Sequence, residues 1–171
     1  MKNRIPALLC ILLFLASCNH TRRDYYPDGT LKSAIGMKKG VYEGKSVWYH
    51  ENGSPMLECT YRSNRLDGPL IRWYSNGKKE EEYFYSNDTC TGPFRKWDMN
   101  GTLVEEGSYL AGELNGPYRK FSRIGKLEAE GQYISGKQEG HWFYYDRFGK
   151  MSYMKSYRNG KDAAPQDTTR Q

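Results

Sequence analysis

Apolar and polar residues alternate over short stretches of the chain, and clusters of Gly, Asn, Asp and Pro separate these stretches. In an extended strand, successive side chains point to opposite sides. Leu57, Cys59 and Tyr61 therefore share one side of a strand predicted over Pro55 to Arg62. The chain has 15 Tyr, 6 Phe and 4 Trp, which favour strands, and Ala and Leu are scarce after the first 20 residues. The pattern predicts an all-β fold of short strands.

Turn residues recur at a constant spacing in three sets. The first set is Gly29, Gly53, Gly77, Gly101, Gly125 and Gly149, whose first four members follow Asp28, Asn52, Asn76 and Asn100. The second is Gly44, Gly68, Gly92, Gly116 and Gly140, and the third is Gly40, Asn64, Asp88, Gly112, Gly136 and Gly160. Asn-Gly and Asp-Gly predict tight hairpin turns, whereas the second and third sets bracket a longer turn. Ile124 and Phe148 depart from the first set, which leaves a different turn type open there.

The regular spacing predicts one domain, an extended antiparallel β-meander built of 24-residue β-hairpin repeats. Five full repeats and a partial one occupy residues 26–161. Residues 18–25 are predicted to be a short polar tether that precedes the array. Residues 162–171 have no strand pattern and are predicted to form a disordered tail.

Residues 1–17 have the three parts of a secretory signal peptide. Lys2 and Arg4 give a basic start, an apolar stretch follows from Ile5 to Leu15, and small residues precede Cys18. The stretch is shorter than the roughly 20 residues of a membrane helix. The segment Leu15-Ala16-Ser17-Cys18 resembles the lipobox of bacterial lipoproteins. The resemblance implies fatty acyl chains such as palmitate on Cys18, and an anchor at the periplasmic face or outer surface of the cell envelope. A secreted protein with a chance cysteine is the alternative.

Aromatic residues follow the same period between the turns. One column is Tyr61, Tyr85, Tyr109, Tyr133 and Tyr157, and another is Tyr49, Trp73, Trp97, Phe121 and Tyr145. Gly-x-Leu followed by Gly-x-Tyr, as in Gly101-Thr102-Leu103 and Gly107-Ser108-Tyr109, resembles MORN-type repeats. The closer similarity is to the bacterial MORN variant of YwqK-family antitoxins. It implies stacked antiparallel hairpins and a binding or scaffolding role.

Charged columns accompany the aromatic ones. Glu58, Glu82, Glu106 and Glu130 form an acidic column, and Arg72, Lys96 and Lys120 form a basic one. If Tyr61 pairs with Pro69, the acidic residues face Arg72, Lys96 and Lys120 across the strands. The same register places the rings of Phe94, Tyr118 and Trp142 among these charges, on the face opposite Tyr61.

Exposed aromatic rings beside cations would form a recognition strip. The predicted binding residues are therefore Phe94, Tyr118, Trp142, Arg72, Lys96 and Lys120. Two alternatives stay open. The charges are a solvated face that sets solubility and register, or the rings form a second layer that neighbouring side chains or termini cover. Phe94 and Trp97 share one side of their strand only if a bulge separates them; otherwise aromatic surface is left on both faces.

The histidines and cysteines do not predict a catalytic or metal site. His20, His50 and His141 share no period, and Cys59 and Cys90 have no partner at metal-ligand spacing. The two cysteines occupy different positions in the repeat, so we expect free thiols. We accordingly expect no enzyme activity, no cofactor and no metal.

The formal charge of +6 falls by the two leader cations after cleavage, and the basic residues are interleaved with Glu. This distribution makes nucleic acid an unexpected partner. The sequence favours a non-enzymatic, envelope-anchored binding or scaffold protein that presents its strip to a protein, a peptide or a glycan. The alternative is an immunity or antitoxin-like protein that neutralises a toxic partner protein, and direct lipid contact is a third reading. The oligomeric state is left open.

Overall fold

The computed structural model describes residues 19–163, which form one antiparallel sheet. The strands are β1 (Asn19–Tyr25), β2 (Leu31–Lys38), β3 (Val41–Tyr49), β4 (Pro55–Arg62), β5 (Arg65–Trp73), β6 (Lys79–Ser86), β7 (Thr89–Cys90), β8 (Gly92–Trp97), β9 (Leu103–Leu110), β10 (Glu113–Leu114), β11 (Gly116–Phe121), β12 (Leu127–Ile134), β13 (Lys137–Tyr145), β14 (Met151–Arg158) and β15 (Lys161–Asp162). They follow one another in chain order, except that the short strands β7 and β10 pair only with β6 and β9, respectively. The prediction of an antiparallel array of hairpins is confirmed.

The limits of the array differ from the prediction at both ends. Residues 19–25, predicted to be a tether, form β1, which pairs with β2 along its whole length. Every residue of β1 is exposed, so no alternation of apolar side chains marks it in the sequence. Asp162, predicted to lie in the tail, belongs to β15. The signal peptide, Cys18 and the rest of the predicted tail lie outside the described residues.

No helix between residues 19 and 163 combines the length and the apolar character needed to cross a membrane.

The two kinds of hairpin turn are the reverse of the prediction. The third set of turn residues forms two-residue turns, such as Ser63-Asn64 between β4 and β5, where the φ angles are 49° and 68°. Two positive φ angles are typical of a type I′ turn, a tight hairpin connection. The Asn-Gly pairs lie instead in wider turns, in which only the glycine has a positive φ. The pair Asn-Gly suits both geometries, so it does not distinguish them.

The wide turns keep one backbone geometry although their sequences differ. Gly77 donates its N–H to the carbonyl of Tyr74, and Gly125 and Gly149 make the corresponding bonds at 2.9 Å. Ile124 and Phe148 therefore do not change the turn, because the glycine supplies the conformation that the turn requires. Consecutive wide turns are also bonded to each other: the side-chain amide of Asn76 donates to the carbonyl of Met99 at 2.8 Å.

A bulge beside each two-residue turn sets the register. Tyr61 pairs with Leu66 while Cys59 pairs with Leu70, so β5 holds two more residues than β4 over this interval. The predicted pairing of Tyr61 with Pro69 is wrong, and beyond the bulge the register differs from the prediction by one residue. A one-residue slip moves every side chain of a strand to the other face of the sheet. The predicted positions of the binding residues change accordingly.

One face of the sheet, the packed face, holds the core. Its most buried side chains are Ser33, Ile35, Ser46, Cys59, Phe94, Ala129 and Trp142. Aromatic contacts on this face join successive hairpins: the ring centroids of Tyr83 and Phe94 are 5.7 Å apart, and those of Tyr118 and Trp142 are 5.6 Å apart. Each hairpin is thus covered by side chains of its neighbour, as a repeat array requires.

Candidate binding face

The aromatic members of the predicted binding set are not exposed. Phe94 is 1% exposed and Trp142 is 2% exposed, and Tyr118 is half-buried. The rings of Phe94 and Tyr109 lie 5.1 Å apart, so the bulge places Phe94 on the same face as the Tyr61 column. The prediction of an exposed strip made of these three rings is wrong, and the alternative that neighbouring side chains cover the rings is confirmed for Phe94 and Trp142.

The basic members of the predicted set pair with carboxylates other than those predicted. Arg72, Lys96 and Lys120 lie 3.6, 2.9 and 4.0 Å from Glu81, Glu105 and Glu128. Lys96 also lies 5.6 Å from the ring centroid of Phe94. Burial acts to lower the pKa of Lys96, but the hydrogen bond and the charge of Glu105 outweigh it and raise that pKa. The observed register, which differs from the predicted one by one residue, therefore places these three cations on the packed face.

Two glycines outside the three turn sets make room for the buried rings. A Cβ atom at Gly107 would lie 2.8 Å from the Phe94 ring, and one at Gly131 would lie 2.3 Å from the Trp142 ring. Gly107 and Gly131 are themselves one repeat period apart, and each stands beside a ring that crosses its strand. This pairing of a glycine in one column with a large ring in the neighbouring column was not predicted from the sequence.

The acidic column lies on the opposite face, the open face, with a second basic column that the sequence analysis missed. Across the strands Glu82 pairs with Arg95, and Arg95 pairs with Glu106. Arg119 then pairs with both Glu106 and Glu130. We call Glu82, Arg95, Glu106, Arg119 and Glu130 the charge ladder. Its signs alternate from strand to strand.

The guanidinium groups of the charge ladder are held loosely. Arg95 lies 3.5 Å from Glu106, and Arg119 lies 3.5 Å from Glu106 and 3.4 Å from Glu130. The arginine side chains are 52% and 56% exposed. Exposed ion pairs of this kind contribute at most about 1 kcal/mol each. The arginines can therefore exchange their internal carboxylates for those of a ligand at small cost.

Aromatic and proline side chains flank the charge ladder on the open face. The hydroxyl of Tyr145 donates to Glu130 at 2.6 Å, and this bond raises the pKa of Tyr145. The ammonium group of Lys79 lies 3.3 Å from Glu82 and 5.5 Å from the ring centroid of Trp97. Shallow grooves of about 370 and 280 Å³ lie between successive hairpins, and Arg119 lines both. The open face therefore carries charged groups at regular intervals, with apolar side chains beside them.

The cysteines are not arranged for catalysis. Cys59 and Cys90 are free thiols in the structure, as expected. Burial raises the pKa of both thiols, which lowers the fraction of reactive thiolate. Across residues 19–163, no group of three or more His, Cys, Asp or Glu residues could hold a metal ion.

The period and the hairpin geometry agree with a known repeat class. Residues 42–63, 66–87 and 138–159 match the family described as MORN repeat variant. Three segments of the chain thus match MORN repeats. Each matched segment is a strand, a wide turn and the next strand, and the unmatched hairpins β8–β9 and β11–β12 continue the series with the same period. MORN repeats are generally thought to mediate binding or membrane association. No curated protein matches the chain.

Proposed function

We propose that this chain is a non-enzymatic binding protein, anchored to a bacterial envelope through Cys18, and that its charge ladder binds a protein or peptide partner. The observation that carries the proposal is the pair of exposed guanidinium groups, Arg95 and Arg119, on the open face of the sheet. The aromatic rings proposed from the sequence to bind are part of the core, so the partner contacts the open face instead.

The chemistry of the charge ladder favours a protein or peptide with acidic side chains. A guanidinium group is planar and binds a carboxylate through two parallel hydrogen bonds, and it is desolvated more readily than an ammonium group. Beside Arg119, the ring of Tyr145 offers apolar surface next to these charges. Aromatic and arginine side chains are the residues that dominate protein interfaces.

Replacing both ladder arginines, as Arg95→Ser with Arg119→Ser, is expected to reduce capture of the envelope partner by at least about tenfold, since hydrogen-bonded interface charges contribute kilocalories to binding. The measurement is quantitative mass spectrometry of proteins that are cross-linked to the tagged chain in intact cells. The matched control is Arg65→Ser with Arg123→Ser, two exposed arginines outside the ladder that give the same change of charge. Equal capture by both double variants would contradict the proposed role.

The anchor is tested separately through Cys18. Cys18→Ser removes the thiol that would carry the lipid, so the chain is expected to leave the membrane fraction, because firm anchoring requires more than one acyl chain. The measurement is the partition of the chain between membrane and soluble fractions after cell fractionation. Cys59→Ser and Cys90→Ser serve as controls, and a Cys18→Ser chain that stays in the membrane fraction argues against a lipid anchor.

A further inference from the structure

The last full hairpin, β13–β14, lacks the charge pattern of the earlier hairpins. In the ladder position Phe143 pairs with Met154. On the packed face Tyr144 pairs with Tyr153, and their stacked ring centroids are 4.6 Å apart. Tyr153 and Met154 are still 50% and 48% exposed. Both faces of β14 therefore offer apolar surface at the end of the array.

The outer edge of β14 has backbone groups with no partner among residues 19–163. On this side β14 pairs with β15 only through Tyr157 and Arg158, and the carbonyl of Ser156 accepts the N–H of Ala163 at 2.7 Å. Inward and outward backbone groups alternate along a strand. The N–H and C=O groups of Met154 accordingly point away from β13, whereas Ser152 lies in the bulge opposite Tyr144 and Tyr145. An uncovered apolar edge of this kind is a template for another strand.

The charge of this edge indicates which strand it accepts. Residues 147–161 contain Arg147, Lys150, Lys155, Arg158 and Lys161, and they contain no Asp or Glu. Pairing β14 with β14 of a second copy would bring these cations together. Pairing β14 with β1 of a second copy would bring them to a strand that is itself net positive, with Arg22 and Arg23 against Asp24. Like charges on adjacent strands are destabilising, whereas opposite charges stabilise the pair.

We infer that the outer edge of β14 is a second binding site, which accepts an extended antiparallel peptide strand of alternating acidic and apolar residues. The backbone of the peptide bonds to Met154, its acidic side chains lie on the side of Lys155, and its apolar side chains lie against Met154. Lys155 is 45% exposed and paired at 3.1 Å with Asp162, so its ammonium group is accessible to a competing carboxylate. A depression of about 530 Å³ lined by Met154, Lys155 and Ala163 adjoins this edge. This site is separate from the charge ladder.

The test measures binding of a fluorescein-labelled peptide with the sequence TEVEVEVT to the full chain by fluorescence polarisation. Met154→Pro removes an outward N–H while leaving the bonds to β13, since proline is tolerated at a strand edge, and it is expected to weaken binding by about tenfold or more. Lys155→Glu reverses the charge beside the peptide and is expected to weaken binding by a similar factor of about ten. Arg22→Glu on β1 is the control, with binding unchanged.

The peptide TKVKVKVT, which has the same apolar residues and the opposite charge, is expected not to bind. Thermal melts establish that each variant folds, and if Met154→Pro does not fold, Lys155→Glu carries the test. The inference is overturned if TEVEVEVT does not bind, if both peptides bind equally, or if folded Lys155→Glu binds as the natural chain does. A dimer seen by sedimentation and lost in Lys155→Glu also overturns it, in favour of a second copy. None of these variants alters Arg95 or Arg119, so failure here is distinguishable from failure of the proposed function.

Discussion

Phe94→Ala is expected to lower the free energy of unfolding by about 3–5 kcal/mol, the usual loss when a buried phenylalanine is truncated. Phe94 is 1% exposed and its ring contacts those of Tyr83 and Tyr109. Removing the ring leaves a cavity at the junction of two hairpins, so the loss affects the packing between units as well as within one. The same variant would affect ligand binding only through unfolding, because the ring is not at the surface.

Phe84→Ala is the matched control for Phe94→Ala. Phe84 lies on β6, the strand next to β8, but on the open face, where it is 37% exposed. The same chemical change is expected to cost about 1–2 kcal/mol there, because more than a third of the residue is already in water and no closed cavity forms. Urea unfolding followed by tryptophan fluorescence measures both variants. Equal losses for Phe94→Ala and Phe84→Ala would contradict the assignment of the two faces.

Gly131→Ala is expected to destabilise the chain by about 1–3 kcal/mol, as overpacking of a well-filled core does. The added Cβ would lie 2.3 Å from the ring of Trp142, closer than unbonded atoms can approach. At an unconstrained site the same substitution would stabilise the protein by about 0.4–1 kcal/mol, because alanine restricts the unfolded chain. The sign of the change therefore reports whether the ring crosses the strand at this glycine.

A double-mutant cycle with Trp142→Leu checks the cause. Leucine withdraws the ring from Gly131, so the alanine methyl group is expected to cost less in the Trp142→Leu background than in the natural chain. Residues in direct contact show interaction energies of about 0.5–3 kcal/mol in such cycles. Urea unfolding of the natural chain, both single variants and the double variant gives that energy, and strictly additive losses would count against the contact.

The architecture was predictable because the residues that form the turns can be recognised in the sequence. Glycine, asparagine and aspartate tolerate positive φ at little cost, so their recurrence at a fixed period locates every hairpin. The strand predicted over Pro55 to Arg62 is β4 as found. By contrast, β1 has no apolar alternation, because an edge strand can be held by backbone pairing with its side chains in water. The turn at Asp28-Gly29 and the position of β1 one repeat before β3 are the signals that could have indicated it.

The proposed binding face could not be predicted without the register. Both Arg95 with Arg119 and Lys96 with Lys120 repeat at the same period, and the two columns point to opposite faces. The choice between them depends on a single residue of offset, which the bulge beside the two-residue turn decides. The sequence pattern contains the turn residues but not the number of strand residues that the bulge absorbs. The aromatic rings were placed on the wrong surface for the same reason.

The two-strand unit also gives the open face a fixed pitch. Neighbouring strands lie about 4.8 Å apart, so each unit advances the surface by about 10 Å, and equivalent groups such as those of Arg95 and Arg119 recur at that interval. An extended partner covers this interval with about three residues. Adding or removing one two-strand unit would lengthen or shorten the open face by about 10 Å. The packing inside every other unit would stay unchanged. The spacing of Arg95 and Arg119 thus sets the separation of the acidic groups that the proposed partner would have to present.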